Sequence, residues 1–284
     1  MLWRKQVAWL ATLDVLTLLE QGRTDEAIDE CADALALGRD VSYPSVMGRM
    51  FGVGVTAVSA YACGRALSAA PAPAVERASA QLVAIRRGTP RFAGILQRER
   101  LFQQLWLADS DRGLPEGARV FIAGARNQNR GAFARLELTI FGPTAGERQA
   151  ALMAALVEAQ GFGWPDCVER MEAVGARFQW NPVVGQPSGF VGLLRRHRDG
   201  LLKLDALACA ASVLLERART GTLPRDAASV CPPIEPQATC AEQAAPIRIL
   251  DDGEGPRVSV RLSGGSDFTV PLAREPKGSA ALLR

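Results

Sequence analysis

Residues 188–224, SGFVGLLRRHRDGLLKLDALACAASVLLERARTGTLP, constrain the chain most. They predict one long helix, polar and basic at its start and apolar from Leu201, closed by Gly221-Thr222-Leu223-Pro224. Ahead of it the apolar periodicity is helical. After it come prolines, turns and residues alternating at a period of two. A chain divided in this way has a helical body and a short β tail, with this helix joining them.

The body is legible helix by helix. Trp3, Val7, Leu10 and Leu18 lie at helical spacing, with Leu13 at the edge of the stripe. Gln21-Gly22 breaks the pattern. Thr24-Asp25-Glu26 opens a second helix with two acids where the helix dipole favours negative charge, and Ala27, Cys31, Ala34 and Leu35 fall on its inner face. Leu10 to Leu35 carries the pattern of one tetratricopeptide-type hairpin. Further helices are predicted over 44–69, 74–87, 90–108, 145–160 and 165–178. The helix from Pro44 is rich in glycine and alanine, FGVGVTAVSAYACG. Small residues admit a neighbour at close range, so this helix is expected to be central, with Gly54 in a crowded contact. Residues 109–143 show no clear element. Residues 247–250, 257–262 and 268–270 alternate between turns, which predicts an antiparallel meander.

The expected fold is therefore mainly α, packed antiparallel helical hairpins of tetratricopeptide-like type with a small C-terminal antiparallel β meander. The expected organisation is a helical-hairpin domain over 1–220, a β appendage over 221–273 and a flexible tail over 274–284. Because the apolar periodicity is complete before Gly221, the body is expected to fold without the tail.

Composition narrows the function classes. Thirty-three basic residues face thirty acidic ones, too even a balance for nucleic-acid binding. The most apolar uncharged stretch, Met50 to Gly64, falls short of the ~20 residues that a bilayer span needs. Met1 to Ala11 is not a signal peptide, and the abrupt helical start leaves room for an upstream leader or membrane anchor. With one histidine and no CxxC among six cysteines, a structural zinc site is not expected. No P-loop, GxGxxG, HExxH or GxSxG pattern occurs, and no cofactor is expected.

Few residues offer chemistry. His197 lies in Arg195-Arg196-His197-Arg198, where positive neighbours disfavour an imidazolium. Arg195, Arg196 and Arg198 read as a solvated basic face, with an anion or phospholipid-headgroup contact as the functional alternative. Glu99 with Asp109 and Asp111 has the residue types of an acid/base pair, but nothing brings them together. An ion pair with an arginine across a helix contact is the expected role of Glu99. Asp14 follows Leu10 by one turn beside the apolar stripe, so it too is expected to pair with an arginine. Cys231 and Cys240 flank a proline-rich stretch that cannot order itself. They are expected to form one disulfide, as weakly cored segments in oxidising compartments commonly do. The other four cysteines are expected to be buried thiols.

Several short segments carry a resemblance: Gly22 with Asp25-Glu26-Ala27, Arg98-Glu99-Arg100, Trp164-Pro165, Asn181-Pro182, and Ala206 to Arg219 followed by Gly221-Thr222-Leu223-Pro224. Their order resembles a group of uncharacterised bacterial proteins with helical-hairpin bodies and a pseudopilin-like C-terminal segment. Members begin with a membrane anchor and carry an Asp-Pro-Phe turn before the last strands, and both are missing here. The resemblance supplies no catalytic residues. The expected function is a non-enzymatic scaffold or protein-interaction protein, outside the cytoplasm in a periplasmic or membrane-associated or secretion-related assembly, with another protein as partner. The alternatives are a cytoplasmic helical-repeat regulator that binds a peptide or small ligand, and a hydrolase with its site in 109–143.

Overall fold

The computed structural model describes residues 2–43, 45–110, 147–148, 150–178, 188–233, 240–243, 245–253 and 255–273. The fold is mainly helical, with a small antiparallel sheet at its C-terminal end. The helices are α1 (Leu2–Glu20), α2 (Thr24–Asp40), α3 (Val46–Ala69), α4 (Ala72–Gly88), α5 (Phe92–Ser110), α6 (Ala150–Ala159), α7 (Asp166–Phe178) and α8 (Ser188–Thr220). Strands β1 (Ile247–Asp252), β2 (Gly255–Arg261) and β3 (Asp267–Pro271) pair in chain order as a meander. The expected tail over 274–284 lies outside the described residues, as do 111–143.

Local chemistry sets the helix ends. α1 stops at Gly22, whose φ of 75° suits a residue without a side chain. Arg23 N donates to Leu18 O at 2.9 Å and Gly22 N to Leu19 O at 3.1 Å, the crossed pair of bonds that satisfies a helix C-terminus. α3 has two caps. Ser45 Oγ accepts from Gly48 N at 3.1 Å, and the Glu99 carboxylate reaches over from α5 to accept from Val46 N at 3.0 Å. Both fill orphan donors, and the acid also meets the positive end of the helix.

α3 is central, as its composition predicts, but the crowded glycines are not the one expected. A Cβ on Gly54 would meet nothing within 4 Å. A Cβ on Gly52 would lie 2.2 Å from Gly38 O and 2.0 Å from Ser42 Oγ, and one on Gly48 2.7 Å from Val41 O. Gly48, Gly52 and Thr56 recur every four residues on the face toward α2, where Gly38 answers them, so the two backbones nearly touch. Gly54 lies 200° round the helix from Gly52 and faces out. α3 is long and apolar enough to cross a membrane by length and composition, yet more than half of its most apolar window is buried in this fold.

α1, α2 and α3 pack on one another, and the long helix α8 brings the rest of the chain to them. α3 and α4 lie along it, α7 meets it near its start, and the sheet rests on its second half. Two apolar clusters result. The larger joins α1 to α4 and the second half of α8 to the sheet, and it includes Leu35, Leu67, Leu82, Leu207, Val258 and Val270. The smaller joins α5, α6, α7, the first turns of α8 and the turn Cys240–Glu242. The sheet is thus not an appendage. Val258 pairs with Val270 and Val260 with Phe268 across β2 and β3, and all four side chains are buried in the main core. Val270 Cγ1 would sit 3.3 Å from a Cβ on Gly64, so the sheet approaches α3 closely.

All six cysteines are bonded. Cys31–Cys63 clamps α2 to α3, Cys209–Cys231 ties α8 to the segment after it, and Cys167–Cys240 ties α7 to the turn before the sheet. Their Cα separations of 5.4, 4.4 and 6.0 Å lie in the range that a disulfide spans. This corrects the expected Cys231–Cys240 bond. Both residues are bonded, but not to each other, because Cys240 is drawn into the smaller core against α7 while Cys231, in the segment after α8, reaches back to Cys209. The four cysteines expected as thiols are bonded as well.

Candidate functional site

A polar seam lies between the two apolar clusters, at the point on α8 where one ends and the other begins. Leu194 belongs to the smaller cluster and Leu202 to the larger. Between them His197 and Arg198 turn inward. His197 is 0% exposed, and it meets Arg49 of α3 at 3% and Glu242 at 2%.

The hydrogen bonds fix the imidazole tautomer. Arg49 Nε lies 2.6 Å from His197 Nδ1. A guanidinium only donates, so Nδ1 carries the lone pair and the proton sits on Nε2. Nε2 then donates to Glu242 Oε1 at 3.3 Å, and Oε1 also accepts from Phe92 N at 2.9 Å. Arg49 in addition donates to Ser42 Oγ at 2.9 Å, and Ser42 Oγ donates to Gly38 O at 2.7 Å. The seam is therefore anchored in the α2–α3 glycine contact. The Phe92 ring stands 5.3 Å from the imidazole. Two turns on, Arg86 of α4 grips Asp205 through Nε at 2.7 Å.

Burial governs the charges. It holds His197 neutral and lowers its pKa to about 3, with the Arg49 charge acting the same way and the Glu242 hydrogen bond opposing. It brings Arg49 down to about 10, against the pull of Glu242. Burial also pushes the Glu242 carboxyl up, but the hydrogen bonds from His197 and Phe92 and the charge of Arg86 hold it below the ordinary carboxylate value. Asp205 is pushed up by burial more than Arg86 brings it down. Glu242 Oε2 is buried and accepts no hydrogen bond among the described residues. A neutral imidazole thus bridges a buried cation and a buried anion, with both its ring nitrogens engaged. That arrangement offers no base to a substrate. It is a cross-tie joining α3, α5, α8 and the turn before the sheet.

The basic run on α8 is not one face. Arg195 and Arg196 are exposed, and Arg195 pairs with Glu172 at 2.7 Å. Arg198 is buried. It donates to Cys240 O at 3.1 Å and Gln243 O at 2.8 Å and lies 4.5 Å over the Trp164 ring. The three arginines are therefore not brought together for an anion, and His197, expected on a solvated face, is the most buried group of the seam. Asp14 is exposed, so it has no desolvation penalty to offset. It faces Glu30 of α2, another acid, and pairs with no arginine among the described residues. Glu99 caps α3 as described. Asp111 lies outside the described residues.

Sequence reasoning missed Arg49, Arg86, Asp205 and Glu242. The signal was there for two of them. Arg49 stands in a glycine-rich apolar helix and Asp205 in Leu201-Leu202-Lys203-Leu204-Asp205-Ala206-Leu207, where a charge needs a buried partner. No grouping of three or more histidine, cysteine or acidic residues fit to hold a metal occurs among the described residues. Comparison with family models, with curated proteins and with solved structures gives no match.

Proposed function

We propose that this chain is a non-enzymatic interaction protein of an oxidising compartment, a rigid helical body held by three disulfides that presents surfaces to another protein. The observation that carries the reading is the pairing of all six cysteines. Disulfides persist outside the reducing cytoplasm, and the bonds here close loops of 22 to 73 residues. In the chain-entropy argument each adds roughly 3–4 kcal/mol. The buried ionic seam supports the same reading, because both ring nitrogens of His197 are engaged and its groups lie beyond the reach of substrate. The periplasm and a secretion-related assembly are the specific setting we infer, in keeping with the resemblance of the C-terminal segment to pseudopilins. Native mass spectrometry on protein taken from the cells that make it, without reducing agent, tests this. A stoichiometric complex with a second protein is expected, and a chain found only alone contradicts it.

A further inference from the structure

α1 is buried along one narrow stripe only. Ala8, Thr12 and Val15 face inward, while Val7, Trp9, Leu10 and Leu13 are between 38% and 59% exposed. Four large apolar side chains within seven residues make a patch of the kind that marks an interaction site. At 100° per residue, Val7, Leu10 and Asp14 lie on the flank toward α2, and Trp9 and Leu13 on the flank toward α3. Two observations fix that orientation. Thr12 Oγ1 lies 3.5 Å from Ser59 Oγ of α3, and Asp14 raises the pKa of Glu30 on α2.

The α2 flank is acidic. Burial pushes the Glu30 carboxyl up, and the charges of Asp14 and Asp33 push it further. Among the described residues none of these three carboxylates pairs with a lysine or arginine, whereas neighbouring Glu26 and Asp29 do, with Arg23 and Arg77. α1 and α2 are antiparallel across the turn at Gly22, so Asp14 is level with Glu30 and Leu10 with Asp33. The apolar patch and the unrelieved negative charge are one continuous face.

We propose that this face of α1 and α2 docks a cationic amphipathic helix of another protein, its apolar stripe on Val7, Trp9, Leu10 and Leu13 and its lysines or arginines opposite Asp14, Glu30 and Asp33. The proposal rests on the reading of the chain as an interaction protein and names the chemistry of its partner. Charge complementarity selects that occupant. A second copy docked face to face would bring the same three carboxylates together, and an anionic bilayer would be repelled by them.

The test uses the full chain with its disulfides intact. The probes are a synthetic amphipathic peptide of leucine and lysine and its leucine–glutamate counterpart, titrated by calorimetry at low and high salt. The lysine peptide should bind, more weakly as salt rises, and the glutamate peptide should not. Combining Asp14→Asn, Glu30→Gln and Asp33→Asn should weaken binding at least tenfold and flatten the salt dependence, as expected for three partly exposed pairs. Leu10→Ser should weaken it several-fold, and circular dichroism should show both variants folded, since every changed side chain is partly or fully exposed. Equal binding of both peptides, or no effect of the triple variant, overturns the proposal. So does a dimer in sedimentation that Leu10→Ser dissociates, or partition into phosphatidylglycerol vesicles that Leu10→Ser abolishes. If the lysine peptide fails to bind while native spectra still show a protein partner, this face is refuted and the broader reading stands.

Discussion

Removing the Glu242 carboxylate should show whether the seam holds the two cores together. Glu242→Ala deletes the acceptor of Phe92 N at 2.9 Å and of His197 Nε2 at 3.3 Å, and it strips buried Arg49 of a counter-charge. Each buried donor left unsatisfied costs about 1–3 kcal/mol, the longer bond falling at the low end. Breaking a buried ion pair by removing one partner costs about 3–5 kcal/mol in all. These figures describe overlapping losses, so the expected destabilisation is about 3–5 kcal/mol, a large share of a typical stability of about 5–15 kcal/mol. Glu242→Gln keeps an oxygen for Phe92 N and loses only the charge, so its effect should be about half as large. Guanidinium unfolding at neutral pH, with the disulfides intact and the slope unchanged, measures both. A loss below about 1 kcal/mol for Glu242→Ala would mean that the seam is wetted in solution, and the cross-tie argument would fail.

Gly52→Ala should destabilise by about 1–3 kcal/mol through overpacking, because its new carbon lands against the Gly38 carbonyl, while Gly54→Ala should be neutral or slightly stabilising; melting temperatures decide it. Stability should fall with acid. Since the folded pKa of His197 is about 3 and its unfolded value is near 6.5, the unfolded chain takes up the proton first as pH drops through 6.5. The loss should approach about 2 kcal/mol by pH 5, at about 1.4 kcal/mol per unit, and His197→Gln should abolish it. Asp205, pushed up by burial, acts in the opposite sense, and Glu242, held down partly by the His197 hydrogen bond, acts in the same sense, so the difference between the two curves reports the imidazole together with its hold on Glu242. A chain ending at residue 222 should lack a cooperative thermal transition, because it loses the sheet's share of the main core, Glu242 and two of the three disulfides.

The helices, their breaks and the meander were legible because each rests on local chemistry. Apolar spacing, the glycine stop after Glu20, acids at the start of α2 and alternation in the last strands all act within a few residues. What escaped was set by distance along the chain. Cys167 and Cys240 are 73 residues apart, and no spacing rule reaches that far, so the short Cys231–Cys240 loop looked the easier closure. Gly54 and Gly52 are indistinguishable in composition and differ only in which face meets α2. The arginine neighbours of His197 do not report its surroundings, because adjacent residues on a helix point in different directions: Arg196 meets water and His197 the core. The strands alone read as half-buried from either side, and only the packing of their inner face against α3 and α8 makes the sheet part of the core.

The most direct test of the account is disulfide mapping of protein from its native compartment. Free thiols are alkylated first, and the chain is then digested without reducing agent. The account predicts three linked peptide pairs, Cys31 with Cys63, Cys167 with Cys240 and Cys209 with Cys231, and no alkylated cysteine. Six alkylated cysteines would contradict both the fold's bracing and the oxidising compartment inferred from it, and a Cys231–Cys240 linkage would contradict the bracing.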